Sequence, residues 1–259
     1  MLRRTLLAAL CGLVCVALGS QPAWAQKAGT AKKKIRVLLV TGSDIAPYHD
    51  WRENSEATRE VLVDSGRFEV RVCEDPLILE SKTALEAYDV IAFLAFDRRP
   101  KLTEAAQSNL LDFVRSGKGF YVQHLASASY KEWKEFAELC GRHWVFGVSG
   151  HTPRSVFPVK IVKDEHPITK GLTNFKTFDE LYSKLQGDSP IEVLAAGDSD
   201  FSHKTEPLLF VRTFGRGRVV HNALGHDRKA IVNPGTRTLI LRGVEWAATG
   251  QVTIPPATD

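Results

Sequence analysis

Between Ile35 and Gln123 the chain drops four times into a short run that is apolar almost from end to end, and an amphipathic stretch or a turn follows each one. The first run, Ile35-Arg-Val-Leu-Leu-Val40, ends at the turn Thr41-Gly42-Ser43, and apolar residues then recur at helical spacing over residues 54–63. The second is Phe68-Glu-Val-Arg-Val-Cys73 and the third Val90-Ile-Ala-Phe-Leu94. Residues 102–115 carry the clearest helical pattern, with Thr103 placed as N-cap, Leu110, Leu111 and Val114 on one face, and Gly117 as the stop. The fourth run, Gly119 to Gln123, precedes another helical stretch at 132–139. Strands apolar on both faces call for a parallel sheet covered by helices on both sides. Their right-handed crossovers predict an α/β fold, doubly wound and mostly parallel.

After Gly141 the rhythm changes. Residues 141–206 hold Pro153, Pro158, Pro167, Gly171, Gly187 and Pro190 and only short strand patterns, as at 156–162, and read as a turn-rich elaboration on the same domain. Residues 208–213 and 218–222 read as a hairpin around Gly215-Arg216-Gly217, and a helix over 238–248 closes the domain. The folded domain is therefore expected over 35–249, with a leader at 26–34 and a tail at 250–259.

The first 25 residues carry an address. Arg3 and Arg4 precede an apolar run from Leu6 to Leu18, and Ala23-Trp24-Ala25 supplies an A-x-A cleavage site. The run is shorter than the ~20 residues that span a bilayer as a helix. The expectation is a cleaved signal peptide cut near Ala25, a periplasmic or secreted protein, and no membrane attachment afterwards. Cleavage removes two of the positive charges behind the formal net charge of +4, which leaves no electrostatic case for nucleic acid. Of four cysteines, Cys73 and Cys140 lie beyond the cleavage site, and both are expected as buried free thiols. Self-association into a homo-oligomer stays open.

In an open parallel sheet the loops after the strands converge on one edge, where ligands bind. Polar residues of interest gather there: Asp44, Tyr48, His49, Asp50 and Trp51 after the first strand, His124 at the end of the fourth, then His151, Asp179-Glu180-Leu-Tyr182 and His226-Asp227. Asp50 and Asp227 serve equally well as helix caps. His166-Pro167 reads as a rigid turn, and His143, His203 and His221 as solvated or satisfied rings. Trp51 and Tyr182 fit the core or a stacking surface for a sugar.

Three chemistries compete for this set. A nucleophile elbow needs Ser or Cys in a G-x-S-x-G setting, whereas the tip here is Gln123-His124-Leu125, with Ser127 and Ser129 too late in the turn. A metal site would recruit His124, His151, Glu180 and His226, a donor set suited to zinc or another divalent ion. Metal-free acid–base catalysis would use the same residues, with Asp179 or Glu180 as the imidazole's partner. Dinucleotide and P-loop patterns are absent from the sequence, so no nucleotide cofactor is expected.

The ordered landmarks His49-Asp-Trp51, Gly119 to His124, His166-Pro-Ile…Gly171-Leu, Asp179-Glu-Leu-Tyr182, Gly215-Arg-Gly-Arg-Val219, Leu224-Gly-His-Asp227 and Arg242-Gly-Val-Glu-Trp246 resemble the ThuA-like (trehalose utilisation) family over about residues 35–248. The resemblance implies a flavodoxin-like fold related to class I glutamine amidotransferase domains. In those the elbow carries a catalytic cysteine, and His124 stands at the corresponding place here, which argues against glutaminase activity. It further implies processing of disaccharides or keto-glycosides, and draws attention to His124, Glu180, His226 and Asp227, then to His49 and His151.

The expectation is an exported enzyme, a hydrolase, lyase or isomerase, acting on a small carbohydrate. His124, Glu180 and His226 would be metal ligands or acid–base groups, Asp227 the orienter of a ring, and His49, Trp51, His151 and Tyr182 substrate contacts. The alternatives are a non-catalytic carbohydrate-binding domain and, further off, an amide or ester hydrolase.

Overall fold

A computed structural model describes residues 33–42 and 49–256. The expected signal peptide, most of the leader, and Asp44 and Tyr48 of the first loop lie outside the described residues. Among these, nine strands form one mixed sheet in the order β2-β1-β3-β4-β9-β8-β7-β5-β6. The parallel half contains β1 (Ile35–Val40), β2 (Phe68–Cys73), β3 (Val90–Phe93), β4 (Gly119–Gln123) and β9 (Gly217–Asn222). The antiparallel half adds β8 (Lys204–Phe214), β7 (Glu192–Ser199), β5 (Ser155–Ile161) and β6 (Phe175–Asp179).

The mostly parallel sheet expected from the sequence is thus found in only half of the molecule. Parallel neighbours need a crossover of a dozen or more residues, whereas antiparallel ones need only a turn. Residues 141–206 carry turn residues where the first half carries helices. They therefore extend the same sheet by antiparallel pairing rather than decorating it.

In the parallel half every residue of β3 and β4 is buried, because helices cover both faces. Val37 and Leu39 point to the side of α1 (Trp51–Asp64) and α6 (Pro234–Thr249), where Val61, Leu62, Leu239 and Val244 join them. Leu38 and Val40 point to the side of α3 (Glu104–Arg115) and α4 (Lys134–Cys140), against Leu110, Val114, Phe136 and Leu139. Each such side chain gains roughly 1.5–3 kcal/mol on leaving water. Gly119 marks a close approach of α6 to the sheet, since a Cβ there would lie 2.6 Å from the carbonyl carbon of Ala247.

The remaining helices are α2 (Lys82–Glu86) and α5 (Arg228–Ile231), and tight turns cover Pro76–Glu80 and His124–Ala128. Helix starts follow their caps. Asp50 accepts the N–H groups of Arg52 and Glu53, so α1 begins earlier than its apolar spacing suggests. Asn233 accepts the N–H groups of Gly235 and Thr236, and Pro234 opens α6 behind it. Cys73 and Cys140 are unpaired; Cys140 is buried, but Cys73 is only partly so because β2 is an edge strand. No helix among the described residues is long and apolar enough to cross a membrane.

Candidate metal centre

Three ends of the parallel half and one end of the antiparallel half meet at a single carboxylate. His49 precedes α1, His124 follows β4, His226 follows β9, and Glu180 follows β6. Glu180 Oε2 lies 3.0 Å from His226 Nδ1, 3.5 Å from His124 Nε2, 3.6 Å from His151 Nε2 and 4.0 Å from His49 Nε2. Donor atoms of His49, His124, Glu180 and His226 all fall within 4.8 Å of one another. That spread approaches the span of ligands around one ion with bonds of ~2.0–2.2 Å.

Local geometry places each ring. His124 adopts a φ of +49° at the strand-to-turn corner, the left-handed region that a non-glycine residue occupies at a cost of about 1–3 kcal/mol and that clusters at functional sites. Its Nδ1 lies 2.7 Å from the carbonyl oxygen of Ala223, so the ring donates there and turns Nε2 towards Glu180. His151 repeats the arrangement, with Nδ1 2.7 Å from the Thr152 carbonyl. A carbonyl fixing one ring nitrogen while the other stays free is the usual outer arrangement of a metal-binding imidazole. Tyr182 lies flat on His124 at 4.0 Å between ring centroids, tilted by 24°.

The electrostatics leave a gap that a cation would fill. Both nitrogens of His49, Nε2 of His124 and Nδ1 of His226 are buried without a hydrogen-bond partner. Burial, reinforced by the neighbouring imidazoles of His124 and His226, drives the His49 pKa down to about 2, so that ring stays neutral. Burial alone would raise Glu180, but His124 and His226 beside it hold it well below the usual carboxylate range. Burial opposes a charge on His124 too, yet the Glu180 and Asp179 carboxylates outweigh it and raise its pKa. An imidazole lone pair cannot face an ionised oxygen without repulsion, so a proton or a metal ion must lie between Glu180 and the ring nitrogens that point at it. The residues present therefore fit a divalent ion: three imidazoles and one carboxylate form a zinc-type donor set.

The expected site residues fare differently. His49, His124, His151, Glu180, His226 and Tyr182 come together, and Trp51 lines a narrow pocket of about 30 Å³ with His49, Asn54, Phe96, Gln123 and His124. Asp227 does not orient a ring: its carboxylate caps α5 by accepting the Ala230 N–H and ion-pairs with Arg154. Tyr182 is 1% exposed, so its face serves His124 rather than a sugar. Asp179 is spent on main-chain N–H groups of Glu180, Gly225 and His226 and is no partner for proton transfer. Ser127 and Ser129 donate to the carbonyl oxygens of His124 and Ala95, which leaves the elbow without an activated hydroxyl. His166 rests against Trp246, and His221 turns Nδ1 to the Cys140 carbonyl.

Sequence reasoning assigned His49 to substrate and missed Trp144. The latter stands 4.6 Å from Tyr182 and 5.8 Å from His151 by ring centroids. It also lines a second cavity of about 430 Å³ with Lys131, Trp133, Phe146 and Asp188. No periodicity marks a single tryptophan in a turn-rich segment.

Similarity to known proteins agrees with this architecture. A ThuA-like protein of Parabacteroides merdae ATCC 43184 is 26% identical, with a TM-score of 0.75 over 86% of this chain and 93% of that one. A ThuA-like protein of Bacteroides uniformis ATCC 8492, 19% identical, superposes with a TM-score of 0.66 over 87% and 98%. A β-galactosidase from Rahnella sp. R3 shares the fold alone, at 14% identity and a TM-score of 0.53, over 73% of this chain and 28% of its own. Among curated proteins no sequence match is found. The profile of the ThuA family, described as trehalose utilisation, matches residues 36–247, and the chain belongs to that family.

Proposed function

We propose that this chain is an exported carbohydrate-processing enzyme, with a disaccharide or keto-glycoside as substrate and a divalent ion, zinc foremost, held by His49, His124, Glu180 and His226. The observation that carries the reading is the convergence of partnerless imidazole nitrogens on one ionised oxygen. A divalent ion in such a site supplies Lewis-acid polarisation of a carbonyl or hydroxyl oxygen.

The chain's own groups divide the remaining work. His151, at the more open side of the cluster with a side chain 31% exposed, keeps Nε2 free by donating from Nδ1 and is placed to carry a proton to or from a bound sugar. Trp51 and Trp144 wall the approach. The cavity beyond Trp144 has a volume in the ~300–1,000 Å³ range of small-molecule sites, with aromatic surface and polar side chains together, as a sugar ring requires. Export rests on the charged, apolar and A-x-A segments of the first 25 residues.

The experiment is a turnover screen of disaccharides and their keto derivatives with zinc present and after chelation. Turnover that needs both the ion and His151 supports the enzyme reading. Saturable sugar binding without turnover in any condition replaces it with a carbohydrate-binding domain.

A further inference from the structure

We infer that Asp179 is the positioning residue of this site: its buried carboxylate ties the far edge of the sheet to the loop after β9 and thereby sets Glu180 against His226. The inference rests on the cation reading proposed above. In the sheet order β6 stands four strands away from β9, which would separate them by about 19 Å in a flat sheet with strands ~4.8 Å apart. Yet Asp179, the last residue of β6, accepts the Gly225 N–H at 2.7 Å through Oδ2 and the His226 N–H at 3.1 Å through Oδ1. The antiparallel half therefore curls back onto the parallel half, and this carboxylate joins the two where the ligands sit.

The same Oδ1 accepts the N–H of Glu180 at 2.8 Å. One side chain, 1% exposed, thus holds the main chain of two proposed ligands that come from opposite halves of the sheet. His226 is fixed from its other side as well, because its carbonyl accepts Nδ2 of Asn54 at 2.8 Å. The start of β6 has separate anchors: Asn233 Nδ2 donates to the Lys176 carbonyl at 3.0 Å, and Phe175 packs over Gly235. Loss of the Asp179 clamp should therefore loosen the end of β6 without detaching the strand.

The test is zinc titration of four proteins: wild type, Asp179→Asn, His226→Ala and the double variant. Hydrogen exchange at the Gly225 and His226 amides is followed in wild type and Asp179→Asn. An asparagine amide matches the size of the carboxylate but turns an NH₂ towards N–H donors. Zinc affinity should fall roughly tenfold or more in Asp179→Asn, as for outer-shell partners of metal ligands, and both amides should exchange faster. In the His226→Ala background the same change should cost less, because one of the two ligands it positions is gone. Unchanged affinity and unchanged exchange overturn the inference, and so does an equal loss in both backgrounds, which marks a general structural role. If wild type takes up no zinc, the cation reading falls, and amide protection alone then decides whether Asp179 clamps the loop.

Discussion

His124 Nδ1 sits 2.7 Å from the carbonyl oxygen of Ala223, and that one hydrogen bond ties the end of β4 to the end of β9 while aiming Nε2 at Glu180. An imidazole must be unprotonated on its ligating nitrogen to hold a metal. Glu180 and Asp179 outweigh burial and raise the pKa of His124, so its proton competes with an ion up to a higher pH than an ordinary histidine's. Zinc affinity should accordingly weaken as pH falls, with the loss beginning above the usual His value of ~6.5. Calorimetric titration in buffers of different ionisation enthalpy should show net proton release near neutral pH.

Tyr182 and His124 form a stacked pair in the core of the site. Removing the ring in Tyr182→Ala should cost roughly 3–5 kcal/mol, as for other buried aromatics, and free His124 to leave its rotamer. Tyr182→Phe keeps the stack and should retain most of the stability. Chemical denaturation of the two variants measures the difference.

Gly225 has a φ of +110°, and a Cβ there would meet Nε2 of Gln123 at 2.7 Å. Gly225→Ala should therefore cost about 1–3 kcal/mol of backbone strain and shift His226, which follows it. Lowered thermal stability together with weakened zinc uptake is the expected pair of results.

Glu245 is wholly buried and receives Arg67 Nε at 2.8 Å, the N–H groups of Thr253 and Ile254, and the Thr253 hydroxyl. Burial pushes its pKa up, but these donors outweigh it and hold the carboxylate below its ordinary value. Its folded pKa lies under the unfolded value of ~4.3, so the stabilisation is fully present above that pH and is lost as pH falls through the folded pKa. Glu245→Gln should cost roughly 1.5–3 kcal/mol near neutral pH, the size of a charged hydrogen bond, and progressively less in acid. Urea midpoints at a series of pH values check this.

Trp144 stands 5.8 Å from His151 by ring centroids and also lines the larger cavity. Trp144→Ala should raise KM for a disaccharide substrate several-fold with a smaller change in kcat, because it removes binding surface rather than a reacting group. Steady-state kinetics on whichever substrate the screen identifies decides it.

The parallel half of the fold was legible because its strands are buried on both faces and therefore apolar throughout, and because Thr103 and Gly117 bracket a helix in plain view. Of the antiparallel half, the β8–β9 hairpin around Gly215-Arg216-Gly217 and β5 were legible, but β6 and β7 were not. β7 reads Glu-Val-Leu-Ala-Ala-Gly-Asp-Ser, with a single β-branched residue to betray a strand. His124 and His226 could be named because each follows a strand pattern, and Glu180 because it stands in the Asp179-Glu-Leu-Tyr182 landmark; all three carry metal-binding or acid–base chemistry. Asp227 drew notice by the same logic but is a cap, since an aspartate before a helix satisfies N–H groups first. The role of Asp179 was hidden because it depends on the sheet curling back, and no local pattern encodes that.

Metal content tests the central claim most directly. Purified protein, incubated with zinc and desalted, should retain close to one ion per chain by elemental analysis, and a His124→Ala, His226→Ala variant that stays folded should retain little. Equal, trace amounts of metal in both would contradict the account and leave protons alone to hold the cluster together.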